Sequence, residues 1–208
     1  MPEGRFITLE GGEGVGKSTN LELVARTVEA AGHRVIRTRE PGGTPLAEEI
    51  RALLLGVREE SITPVAELLL VFAARAQHLE ALIKPALAQG DWVVCDRFTD
   101  ATYAYQGAGR DLDNGVIAQL ETLVQGRLQP DLTIYLDLNL EIAAQRISGR
   151  ELDRFEREQQ DFFLRVRERY LEMAGRESRY RVVDAGQSLE SVQQEISSLL
   201  AEFLGADS

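Results

Sequence analysis

The feature that most constrains this chain is the stretch EGGEGVGKSTN, Glu10 to Asn20. Gly11, four intervening residues, then Gly16, Lys17 and Ser18 reproduce the phosphate-binding-loop spacing G-x-x-x-x-G-K-[ST]. Such a loop is entered from a β-strand and left through a helix. Its glycines let backbone N–H groups curl around phosphate oxygens, and the helix N-terminus adds positive potential. Both neighbours are present in the pattern: Phe6 to Leu9 is a short β-rich run, and Ser18 to Ala31 reads as a helix closed by Gly32. The candidate triphosphate site is therefore Gly11, Gly12, Glu13, Gly14, Val15, Gly16, Lys17, Ser18 and Thr19. Lys17, one of only two lysines, brings a point charge to the β- and γ-phosphates, and Ser18 a hydroxyl to Mg²⁺. The loop implies that a nucleoside triphosphate is held. It leaves open where the γ-phosphate goes.

The rest of the chain alternates. Val35 to Thr38, the run DWVVCDRF, Leu132 to Asp137 and Tyr180 to Val183 read as further strands. Thr44-Pro45 and Thr63-Pro64 each read as an N-cap followed by proline at the first helical position. They open helices to about Leu55 and to about Ala88, the second ended by Gly90. Further helices are expected over Asp100 to Tyr105, Asn114 to Gln125, Leu140 to Ser148, Phe155 to Ala174 and Leu189 to Phe203. This order predicts an α/β fold of the P-loop type, with five parallel strands covered by helices on both faces in three layers. No repeat, linker or low-complexity tract divides residues 1–208, so a single domain is expected.

Charge and composition exclude some classes. The formal net charge is -11, whereas a nucleic-acid binder shows a basic excess or stripe, so no nucleic-acid partner is expected. An anionic substrate would need a local cluster of cations against that negative whole. The one cysteine, Cys95, rules out an internal disulfide and reads as a buried thiol. The mostly apolar stretch Pro64 to Leu87 is interrupted by Glu67, Arg75, His78, Glu80 and Lys84, so no membrane span is expected. MPEGRFITLEG lacks an apolar signal region, and the expected location is the cytoplasm.

The acceptor is narrowed by arginines. Asp96 and Arg97 end the third strand, where ligands of an open parallel sheet sit. A carboxylate there can hold Mg²⁺ or its water, and the adjacent guanidinium can fork onto a phosphate. Arg39 closes the second strand, and Arg75 lies in the long helix. Surface ion pairing accounts for many of the other arginines. A hydroxyl acceptor benefits from a base, whereas a phosphate monoester is already mostly dianionic at neutral pH and needs cations. Arg39 and Arg97 without an obvious base favour a nucleoside monophosphate. A GTPase is disfavoured because no N-K-x-D sequence is present.

EGGEGVGKSTN, TREPGGTPLAEEIR, LLLVFAARAQHL, CDRFTDATYAYQGAGR, PDLTIYLDL, GRELDRFE and DAGQSLESV, taken together, resemble bacterial thymidylate kinases from about Arg5 to Phe203. The resemblance implies Mg²⁺-dependent phosphoryl transfer from ATP to dTMP. It also implies a role for each matching position. Glu13 matches the acidic residue at the deoxyribose 3′-OH, and Arg39 and Arg97 match the clamp on the acceptor phosphate. Pro41 matches a proline often found cis. Arg75 and Thr102 match residues at the thymine edge, with Gln106 beside them, and Tyr105 matches the tyrosine under the sugar, where it would disfavour a 2′-hydroxyl. Phe72 is the stacking candidate, although many relatives place the aromatic where Val71 stands. The P-loop carries no arginine among Gly12 to Val15, so a lid spanning about 146–155 is expected to supply Arg146, Arg150 or Arg154, on one side if that lid is helical. Asp184 to Gln187 resembles the segment beside adenine. The long helix from Pro64 is apolar on most sides and should be buried all round, and relatives form homodimers through this region. Two other readings stay open: another nucleoside monophosphate kinase, against which Arg75, Thr102 and Tyr105 argue, and a non-enzymatic ATP-dependent switch.

Overall fold

The computed structural model describes residues 4–147 and 153–205. Among them, strands β1 (Phe6–Gly11), β2 (Val35–Arg39), β3 (Trp92–Asp96), β4 (Leu132–Asp137) and β5 (Tyr180–Asp184) form one parallel sheet, ordered β2-β3-β1-β4-β5. The central strands β1 and β4 are buried along nearly their whole length, as expected for strands covered on both faces. The chain passes from β1 outward to β2, then returns to β3 beside β1 before crossing to β4. That reversal opens a crevice at the carboxyl ends of β1 and β3. The register sets Asp96 opposite both Leu9 and Arg39, so the P-loop, Asp96 and Arg39 converge on that crevice.

The helices are α1 (Lys17–Ala30), α2 (Pro45–Leu55), α3 (Pro64–His78), α4 (Lys84–Ala88), α5 (Thr99–Thr102), α6 (Asn114–Val124), α7 (Leu140–Ile147), α8 (Gln160–Ala174) and α9 (Leu189–Gly205). On one face, Val24 and Val28 of α1 and Val192, Ile196 and Leu200 of α9 pack on Ile7, Leu9, Ile134 and Leu136. On the other, α4 and the turn before it cover Phe6, Val93 and Phe98, while Phe162, Val166 and Tyr170 of α8 cover Tyr135. Truncating one such buried Leu or Ile to Ala costs about 2–5 kcal/mol.

Three departures from sequence expectation have local causes. The long helix widens into a π turn at Leu79–Ile83 before α4. Pro85 lacks an N–H and crowds the carbonyl four residues earlier, and a wider turn accommodates both. The segment after Asp96 likewise turns π-helical over Tyr103–Gly109, past the expected end at Tyr105. α8 begins at Gln160 rather than Phe155, because Asp153 Oδ1 accepts from the backbone N–H of Phe155 and of Glu156, at 2.9 Å each, and holds a separate turn. The long helix is also not buried all round: Val65 and Leu69 are more than half exposed. No helix among the described residues is long and apolar enough to cross a membrane.

Candidate active site

The crevice is a cleft of about 540 Å³ running from the P-loop to α3 and the π segment after α5. At the P-loop end, Gly14 and Gly16 take left-handed conformations at φ of 73° and 85°, which bend the chain around the space where phosphates would lie. Lys17 is buried, and its Nζ donates to the carbonyls of Gly11 at 3.3 Å and Gly12 at 2.8 Å. Burial, with Arg97 nearby, lowers its affinity for a proton relative to an ordinary lysine. Glu13, Gly14, Val15, Gly16, Lys17, Ser18 and Thr19 line the cleft. Gly11 and Gly12 do not. Gly11 packs against the Leu136 carbonyl, which a Cβ would approach to 2.7 Å, and Gly12 borders a second cavity of about 480 Å³ between the loop, α7 and α8. Asp96 lines the cleft with Oδ1 buried and without a hydrogen-bond partner.

Arg97 follows directly in a left-handed conformation, φ 69°, which is uncommon for a residue with a side chain. Its guanidinium donates to the Tyr105 hydroxyl at 2.8 Å, lies over that ring and pairs with Glu13. Next to it, Glu10 accepts from the backbone N–H of Phe98 and the hydroxyl of Tyr170, both at 2.7 Å. Burial, reinforced by Asp100, pushes the Glu10 carboxyl up to about 8. Arg39 reaches the cleft half-exposed, with Nε and Nη2 on the two oxygens of Glu48 at 3.2 and 2.7 Å. Arg51 of α2 lines the same region and donates to the Pro41 carbonyl at 2.8 Å, beyond a cis Glu40–Pro41 peptide.

The far end is built on Arg75. This side chain is 2 % exposed. Nε donates to Glu40 Oε2 at 2.7 Å, and Nη2 to Thr102 Oγ1 at 3.0 Å and the Phe98 carbonyl at 3.2 Å. Nη1 is buried without a partner. Thr102, Tyr105 and Gln106 also line the cleft, and Gln106 Nε2 donates to Glu67 Oε1 at 2.8 Å.

Two sequence expectations are corrected here. Phe72 does not line the cleft; it is buried with Leu68 and Ile117 against α6, and Val71 faces the cleft instead. The 100° step between consecutive helical residues turns Phe72 away. Arg154 does not line the cleft either. It sits in the turn before α8, donates from Nε to the Leu54 carbonyl at 2.7 Å, and pairs with buried Glu67 at 2.6 Å. Arg146 lies on α7, so the two arginines do not share one helix. Arg146 lines the cleft and donates to the Gly14 carbonyl at 3.3 Å. Arg150 lies outside the described residues.

A P-loop and a buried guanidinium with a spare donor at opposite ends of one cleft fit a phosphoryl donor facing a nucleobase-bearing acceptor. A family model described as thymidylate kinase matches residues 9–196. The chain belongs to the thymidylate kinase family. Thymidylate kinases of Chromohalobacter salexigens and Pseudomonas syringae pv. tomato are 60 % and 58 % identical to it, over 99 % and 97 % of each chain. The crystal structure of thymidylate kinase from Ehrlichia chaffeensis superposes with a TM-score of 0.78 at 33 % identity, covering 96 % of this chain and 99 % of that one. Within this member of the thymidylate kinase family, the structure adds Arg51, Glu40, His78 and Glu10 to the site's surroundings. Arg51 falls inside the TPLAEEIR motif but looks like any other arginine on an amphipathic helix. Glu10, Glu40 and His78 also fall inside quoted motifs, but nothing in the local pattern says which side chains they meet.

Proposed function

We propose that the chain catalyses Mg²⁺-dependent transfer of the ATP γ-phosphate to dTMP, giving ADP and dTDP. The observation that carries this reading is Arg75, which lines the cleft and has one buried nitrogen, Nη1, without a partner. A nucleobase carbonyl is the acceptor that such a donor needs.

The P-loop N–H groups and Lys17 bind the β- and γ-phosphates of ATP, with adenine beside Asp184 to Gln187. Arg97, Arg39 and Arg51 offset the charge of the acceptor phosphate. Glu13 accepts from the sugar 3′-OH, and Tyr105 lies under the sugar where a 2′-hydroxyl would crowd it. Ser18 and Asp96 fit a magnesium ion, since a hydroxyl and an oxygen-donor carboxylate with an unsatisfied oxygen face one cleft. The ion, when bound, neutralises charge on the transferring phosphates. An oxygen of the dTMP phosphate bonds to the γ-phosphorus as the bond to the β–γ bridging oxygen breaks, and ADP leaves with that oxygen. The acceptor oxygen is already deprotonated, so no base is required. Arg146, with Arg150 by resemblance, supplies cationic charge from the lid side.

Exposed Leu46, Leu53 and Val57 on and just after α2, Val65 and Leu69 of α3, and Val116 and Leu123 of α6 mark the face proposed to pair two copies in a homodimer. The cytoplasm is the proposed location. A coupled assay of ADP release with dTMP, dUMP, UMP, CMP, AMP and GMP tests the reading. dTMP should give the highest kcat/KM, and a preference for any other monophosphate would overturn it.

A further inference from the structure

We infer that His78 is a positioning residue for base recognition: through the Glu40 carboxylate it fixes Arg75, leaving one guanidinium nitrogen for the nucleobase. The inference rests on the thymidylate reading above.

His78 closes α3 one turn after Arg75, so both side chains leave the same face. Its ring bridges two elements. Nε2 lies 2.6 Å from Thr38 Oγ1 on β2, and Nδ1 lies 3.0 Å from Glu40 Oε1. Glu40 uses its other oxygen to accept from Arg75 Nε at 2.7 Å. The tautomer with its proton on Nδ1 satisfies both ring contacts, donating to Glu40 and accepting the Thr38 hydroxyl proton.

His78, Glu40 and Arg75 are 0, 4 and 2 % exposed. The loop after β2 seals the Thr38–His78 bond: a Cβ on Gly43 would stand 2.4 Å from both His78 Nε2 and Thr38 Oγ1. In such dry surroundings each bond is strong, and an unpaired group is costly. A carboxylate held only by Arg75 could turn about its own axis and carry the guanidinium with it. A second donor on the opposite oxygen fixes its plane. The faces of Phe72 and Phe98, with centroids 4.9 and 5.3 Å from the Arg75 guanidinium carbon, restrict the remaining motion. Nε and Nη2 are then committed, and Nη1 alone is left to donate. Thymine offers a carbonyl acceptor at its 4-position where cytosine offers an amino donor. A fixed donor therefore discriminates between them, and a swinging one loses that discrimination.

The test is steady-state kinetics of full-length His78→Leu, His78→Asn and Thr38→Val, each beside a thermal melt. His78→Leu removes the donor to Glu40 and should raise the KM for dTMP about tenfold, as expected for a lost hydrogen bond to a charged group. kcat and the KM for ATP should move less than about threefold, below roughly 0.7 kcal/mol. Deoxyribose 5-phosphate, which lacks the base, should keep its Ki as a competitor of dTMP. His78→Asn places an amide N–H near the Nδ1 position and should recover most of the loss. Thr38→Val keeps the ring and should raise the KM for dTMP about threefold; it decides the matter if His78→Leu does not fold. The inference fails if folded variants keep the wild-type KM for dTMP. It also fails if deoxyribose 5-phosphate or ATP binding weakens equally, or if Asn is no better than Leu. Failure of the wild type to phosphorylate dTMP would instead overturn the thymidylate reading.

Discussion

The two ends of the cleft hold their cations differently. At the phosphate end, Arg39 is half-exposed on Glu48, Arg97 pairs with Glu13, and Lys17 rests on loop carbonyls. Glu48 and Glu13 are partly exposed and Lys17 rests on backbone carbonyls, so each contact can be exchanged for a phosphate oxygen. At the base end, Arg75 is locked among Glu40, Thr102, Phe98 and two aromatic rings, with one nitrogen uncommitted. On the proposed reading, one end rearranges around a polyanion and the other stays still around a flat ring. Binding strength suits the first arrangement and selectivity the second.

The comparison is broken most directly by removing one arginine from each end. Arg75→Met strands Glu40 in a dry site and should destabilise the protein by about 3–5 kcal/mol, as for a broken buried pair. Arg39→Met removes a half-exposed side chain and should stay within about 0.5 kcal/mol. Urea unfolding of both variants measures the gap, and equal losses would mean that the two ends are not held differently. Lys17→Ala should lower dTDP formation by about 10²–10³, the cost of removing a preorganised charge-stabilising donor. Its apo melt should match the wild type, since Lys17 bonds only to loop carbonyls. Near-normal turnover would remove the P-loop from the mechanism.

Arg146 and Arg154 sharpen the contrast on the lid side. Arg146→Ala should lower kcat at least about tenfold, less than the roughly 10³–10⁵ of a sole arginine finger because Arg150 is retained. The KM for dTMP should barely move. Arg154→Ala, which loosens the anchor on Glu67, should show mainly as a lower melting temperature. The assignment is wrong if Arg154→Ala reduces kcat more than Arg146→Ala does. A further expectation concerns pH. Glu10, raised from 4.5 to about 8 chiefly by burial, is favoured by the fold in its protonated form. Its contribution is present below pH 4.5 and is lost as pH rises through about 8. The melting temperature of the wild type, measured against Glu10→Gln, should therefore fall between about pH 5 and pH 9. Parallel curves over that range would mean that burial does not control this carboxyl.

The sheet was legible because β1, β3 and β4 are apolar, β-branched runs bounded by glycine, proline or charge, and the mixed edge strands β2 and β5 keep paired β-branched residues; Leu132 to Asp137 was read to the residue. The P-loop was legible because its chemistry fixes its spacing. Neighbouring positions on α3 were not. That helix is apolar on most sides, so periodicity could not choose between Val71 and Phe72, and only packing against Ile117 of α6 decides. The shared helical side of Arg146 and Arg154 was misread for another reason. Three arginines at intervals of four look like one helical face, but Asp153 caps a turn between α7 and α8. Partners separated by 35 residues, such as Arg75 and Glu40, leave no trace in local pattern.

The dipeptide Gly42-Gly43 gives the loop after β2 an unusual mutational reach. Both residues have positive φ, 137° and 85°, so any side chain there is strained from the outset. What each would strike differs. A methyl on Gly42 meets the Glu48 carboxylate at 2.5 Å, the group that holds Arg39, whereas a methyl on Gly43 meets His78 and Thr38. Adjacent codons thus report to opposite ends of the cleft. On the proposed roles, drift at the first would disturb the hold on phosphate, and drift at the second the reading of the base, with 3.8 Å of chain between the two faults.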